Sequence, residues 1–197
     1  MNASALLVRG VEADALRSGA LLAVRVVAGL AMALHGAPKM LAPFSWMGPE
    51  APVPGLLQAA AAAAEFFGGI AWAVGLATPL ASAGIVATMI TAVFLGHVAA
   101  GDPLVRITVT GDPAGPGAAW GGLPTWLARA DGRGAPGSGS SELALLYAGI
   151  GVVLFAVGPG RFSLDAMLAR RRARAAQAPD QRRRGRGRLP APRRRSA

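Results

Sequence analysis

Four ionisable side chains, His35, Lys39, Glu65 and His97, stand inside apolar stretches where a bilayer would make them costly. Lys39 follows His35 by four residues, so a helix places the two on one face. An imidazole gains and loses a proton near neutral pH, and a nearby carboxylate can take one up. The group suits the head of a quinone, with histidine as hydrogen-bond partner and Glu65 as proton acceptor. His35, Glu65 and His97 are the catalytic candidates, and Lys39 joins them as a cofactor-binding candidate. The plainer reading is that these groups pair to hold helices in register. Haem ligation by His35 and His97 is the weaker alternative, because two lone histidines form no motif. The chain has no cysteine, which removes disulfides, thiolate metal sites, iron–sulfur clusters and CxxC chemistry. No metal site is expected. An electron-transfer role needs a bound cofactor, a substrate or a soluble redox partner protein.

The elements that must position these residues are membrane helices. Hydrophobic residues make up 53% of the 197-residue chain and charged residues 15%, against roughly 25% charged in a soluble domain. A helix of ~20 apolar residues crosses a bilayer core. Four stretches fit, near 19–41, 55–77, 80–100 and 142–158, and the first reads as the least hydropathic. The uncharged run between Glu65 and Asp102 is too long for one crossing. Gly75, Thr78 and Pro79 divide it, with Pro79 suited to the first turn of a new helix. The fold class is all-α, a transmembrane four-helix up-down bundle.

Charge sets the orientation. Residues 161–197 hold 13 of the 20 Lys and Arg and two acids, so the net charge of +10 belongs to a tail. That tail is expected on the cytoplasmic side, facing anionic lipid headgroups. Nucleic acid is the disfavoured rival partner. Four crossings put residues 1–18 on the same side as the tail, 166–197, and the 101–141 loop outside. The first residues carry Arg9, Glu12, Asp14 and Arg17, unlike a cleaved signal, so the first helix is expected to be retained. A rise of ~1.5 Å per residue then places His35, Lys39, Glu65, His97 and Glu142 in the outer half. Arg25 lies alone toward the inner side.

Within the long loop, LVRITVT at 104–110 suits a short strand. Trp120 and Trp126 suit the membrane interface. GRGAPGSGSS at 132–141 reads as linker. GDP at 101–103 and 111–113 is too short to be a repeat. The loop reads as a lineage-specific insertion rather than a lid. Gly29, Ala33 and Gly36 share one face of the first helix, and Gly68, Gly69, Trp72 and Gly75 punctuate the second. Such faces allow close helix packing.

Three motifs in order carry a family resemblance. They are Arg25, His35, Gly36 and Lys39; then Glu65, Gly68, Gly69, Gly75, Thr78 and Pro79; then GPGRFSLD at 158–165. Over about 19–166 the chain resembles the DoxX family of small four-helix membrane proteins, with a longer 101–141 loop. The resemblance implies a bacterial inner-membrane protein related to thiosulfate:quinone oxidoreductase subunits and to oxidative-stress complexes, or a non-catalytic scaffold or assembly factor. It implies interest in Arg25, His35, Lys39, Glu65 and His97 without assigning a reaction. Physically, GPGRFSLD reads as a helix break followed by a new helix, with Ser163 as N-cap and Asp165 in the first turn.

Overall fold

The computed structural model describes residues 3–108, 118–119, 124–131 and 139–186. The helices are α1 (Ala3–Gly36), α2 (Gly55–Val74), α3 (Thr78–Thr91), α4 (Glu142–Val157) and α5 (Leu164–Arg186). A 3-10 turn, Pro38–Leu41, follows α1, and α3 continues as a π-helix over Ala92–Val98. Among the described residues three segments are long and apolar enough to cross a membrane: Asp14–Leu41, Gly55–Val74 and Thr78–Val98. Among them α2, not the first helix, has the lowest hydropathy. Its Gln58, Glu65 and alanine run outweigh Arg25 in the apolar part of α1. The apolar α4 is shorter, at 16 residues.

Rather than starting near residue 19, α1 runs unbroken from Ala3. No proline lies between Ala3 and Gly36, so nothing in the stretch before residue 19 forces a break. Pro38 stops the α-helix and admits only the 3-10 turn that carries Lys39.

Small residues set the packing of α1 on α2. A Cβ at Gly29 would lie 2.6 Å from the Gly69 carbonyl, and one at Gly36 would lie 2.5 Å from the Phe66 amide. As α1 advances from 29 to 36, its partner positions on α2 fall from 73 to 65, so the two run antiparallel. Gly68 meets Ile85 of α3, Gly84 meets Ala64, and Gly151 of α4 meets Val86. The core between the helices is Met32, Trp72, Ile85, Met89 and Leu154, all buried.

The all-α expectation needs one correction. The 101–141 connection carries a small three-stranded sheet of β1 (Val105–Thr108), β2 (Ala118–Ala119) and β3 (Ala128–Asp131), in the order β1-β3-β2. β1 pairs parallel to β3 and β2 antiparallel to it. β1 falls in the predicted strand, where Val105 and Ile107 are β-branched. ARAD in β3 has no such signature, so its pairing comes from tertiary context. Trp126 is exposed. Trp120, residues 109–117 and 132–138, and the arginines beyond 186 lie outside the described residues.

The tail begins as a helix. Ser163 Oγ accepts from the Ala166 amide at 3.1 Å, the expected N-cap.

Candidate functional site

Lys39 and Glu65 meet. Glu65 is 1% exposed, and Lys39 Nζ lies 2.6 Å from both carboxylate oxygens. Only Oε1 is aligned as a hydrogen-bond acceptor. Buried Oε2 has proximity to the ammonium without a well-directed bond. Lys39 also lies 4.4 Å from the centre of the Trp46 ring, so the cation has a π-face as well as a carboxylate. Trp46 is held in turn by its indole Nε1, which donates to the Gln58 carbonyl at 3.0 Å. The Gln58 side chain accepts from the Met47 amide and donates to the Val53 carbonyl, pinning the 42–54 connection onto α2.

His97 sits in the π-helical segment, a form of helix common at functional sites. Its Nδ1 lies 2.9 Å from Asp102 Oδ2. His35 is exposed, and among the described residues no hydrogen bond involves its side chain.

Two cavities flank the Lys39–Glu65 pair. The first, about 590 Å³, runs between α2 and α3, with mostly apolar walls such as Leu57, Ala61, Ala87 and Leu95. The second, about 450 Å³, is bounded by α1, α3 and α4 and is more polar, with His35, Ser140, Glu142 and Tyr147 in its wall. Lys39, Glu65, Ala92 and His97 line both. The predicted residues therefore divide into a shared wall of Lys39, Glu65 and His97, and His35 on one side only. Among the described residues no group of three or more His, Cys, Asp or Glu could hold a metal ion.

Arg25 is elsewhere and is 1% exposed. It donates to the carbonyls of Trp72 at 3.0 Å, Phe162 at 3.0 Å and Pro159. Beside it, Asp165 accepts from the amides of Ala77 at 2.9 Å and Thr78 at 3.1 Å, while its own amide donates to Gly75. Among the described residues Ala77 is the non-glycine residue with positive φ, +47°, a conformation that needs surrounding support. Asp165 supplies it and caps α3 from a distant part of the chain. GPGRFSLD is thus a helix break, as its sequence suggests, and also a clamp on the α2–α3 turn.

Sequence reasoning missed Trp46, Gln58, Asp102 and Tyr147. Only Asp102 carried a signal, in the GDP tripeptide that follows the helix.

Long apolar helices with their charges buried among partners define a small helical membrane protein. The DoxX family model matches residues 20–98, so that segment is similar to the DoxX family. The match runs from within α1 to the end of the π-helix and stops before the loop, α4 and GPGRFSLD. No curated protein and no solved structure matches the chain.

Proposed function

We propose that the chain is a four-span bacterial inner-membrane protein that binds the head of a quinone-type carrier against the Lys39–Glu65–His97 wall. The observation that carries this reading is the buried Glu65 carboxylate, incompletely hydrogen-bonded at the border of an apolar and a polar cavity. An apolar groove with convergent polar groups at one end suits an amphiphile with a small polar head. The carrier's tail lies along α2 and α3, and its oxygens reach Lys39 and His97. Lys39 donates, and Glu65 and His97 exchange protons with the head.

Redox and oxidative-stress systems supply such a carrier and a soluble redox partner to exchange electrons with it. Both termini face the cytoplasm, with α5 on anionic headgroups. Reporter fusions after residues 50, 77 and 165 test the orientation, and a cytoplasmic signal from residue 50 overturns it. The decisive test of function is purification in mild detergent, quinone extraction, and titration with a decyl-tailed benzoquinone. Bound quinone lost in Glu65→Gln supports the reading. A stable partner chain with no quinone bound supports a scaffold or assembly factor instead, to which the well-tied Arg25 clamp is equally suited.

A further inference from the structure

The π-helix ends in a lock. Gly101 takes φ +74°, a left-handed turn that glycine enters at little cost. The reversal returns the Asp102 amide to the His97 carbonyl at 2.9 Å, while the Asp102 carboxylate meets Nδ1 of the same histidine at 2.9 Å. Asp102 therefore holds both the backbone and the ring of His97. Pro103 follows, buried, and its carbonyl accepts from the Ser141 amide at 3.1 Å where α4 begins. The far end of the loop closes on the same carboxylate. A Cβ at Gly139 would occupy the space of Asp102, and the Gly139 carbonyl accepts from Arg106, whose guanidinium is 4.0 Å from Asp102. GDP at 101–103 and Gly139 thus build one carboxylate seat at the foot of the loop.

We propose that Asp102 is a positioning residue for His97, and that the base of the 101–141 loop belongs to the site. The carboxylate accepts Nδ1–H and fixes the tautomer, leaving Nε2 as the bare nitrogen available to the cavities. His97 then acts as an acceptor for a hydroxyl-bearing head, and Asp102 stabilises the imidazolium when the proton arrives. The ligand class rests on the proposed function; the tautomer does not. The other charged groups around His97 are Lys39 and Glu65 in both cavity walls, Glu142 in the second, and Arg106 beyond Asp102.

The chain has two histidines, so ¹⁵N-histidine labelling of full-length His35→Gln protein leaves one imidazole to observe. The expected spectrum shows Nδ1 protonated and Nε2 bare in the neutral ring, with a larger share of the Nε2-protonated tautomer in Asp102→Asn. Asp102→Glu should restore part of the parent tautomer balance. A neutral ring protonated at Nε2, or the same tautomer balance with and without the Asp102 carboxylate, overturns the proposal. The tautomer reading needs no substitution at 102, so it stands even where Asp102→Asn fails to fold. Decyl-tailed benzoquinone should bind Asp102→Asn about tenfold more weakly than the parent protein. Equal affinity with an altered tautomer overturns the role in binding. No binding to the parent protein, with the tautomer as expected, sinks the quinone reading and leaves the histidine–aspartate pair standing.

Discussion

Among the described residues charge is buried in two places, and the two are treated differently. At one end Arg25 donates to three backbone carbonyls and lines neither of the two cavities beside Glu65. At the other, Glu65 meets one flexible ammonium, keeps an imperfectly bonded oxygen, and borders two cavities. Both residues are 1% exposed, so burial alone does not separate them. What separates them is the partner. Backbone carbonyls fixed by a turn hold a guanidinium in one place and satisfy its donors. A lysine on a 3-10 turn can yield part of its interaction to something else. The first arrangement is a clamp, and the second is a place where a ligand can compete.

The comparison breaks most visibly at Arg25. In Arg25→Leu the three carbonyls lose their donor, at about 1–3 kcal/mol each where water cannot replace it. The turn at 159–162 should detach from α2, and the protein should lose at least ~3 kcal/mol of stability. Membrane accumulation and melting temperature in detergent measure this. A normal level and an unchanged melting temperature would show that the clamp is ornamental.

The Lys39–Glu65 end should answer differently. Glu65→Leu leaves a part-buried lysine without its carboxylate and should destabilise by up to about 3 kcal/mol. The double change Lys39→Met with Glu65→Leu replaces the whole pair by apolar groups and should restore stability to within ~1 kcal/mol of the parent. Quinone binding should stay lost in both. Recovery of stability without recovery of binding is the signature of a functional pair. Recovery of both would reduce the pair to helix registry.

Much of this contrast was already visible in the residue pattern, though not all. Glu65 and Lys39 could be brought together because a carboxylate in an apolar run needs a nearby cation. The small-residue faces of α1 and α2 similarly announced close approach. The destiny of Arg25 was hidden, because its acceptors are backbone atoms of residues 72, 159 and 162. Any residue type offers a carbonyl, so no side-chain pattern marks them. Asp165 has the position of an ordinary first-turn acid, yet its carboxylate serves α3. The π-helix was hidden for a related reason: apolar residues around His97 fit α and π periods almost equally over so short a run. β3 has the composition of a loop and becomes a strand only beside β1.

Asp165 gives a smaller, sharper test of the clamp. Asp165→Asn keeps one acceptor but removes the charge at the α3 N-terminus, and should cost about 0.5–1 kcal/mol. Asp165→Ala should cost about 1–2 kcal/mol, since Ala77 and Thr78 both lose their acceptor. Thermal melting of the two variants in the same detergent resolves the order. If Asn and Ala are equally damaging, the charge rather than the hydrogen bonding holds the turn.

The smallest expected effect belongs to His35, and it decides which cavity matters. His35 lines the second cavity and not the first, whereas Trp46 lines the first and not the second. With no side-chain hydrogen bond among the described residues, His35 contributes little to stability, and His35→Ala should change it by less than ~0.5 kcal/mol. If the carrier head enters from the α2–α3 groove, quinone affinity should also hold within about threefold, under ~0.7 kcal/mol. Trp46→Leu removes the π-face over Lys39, worth about 0.5–2 kcal/mol. It should therefore weaken binding more than His35→Ala does. Titration of both variants with the decyl-tailed benzoquinone makes the comparison. The reverse order would move the ligand to the second cavity, between α1 and α4, where His35, Glu142 and Tyr147 line the wall. The shared wall of Lys39, Glu65 and His97 would keep its role under either outcome, because it faces both spaces.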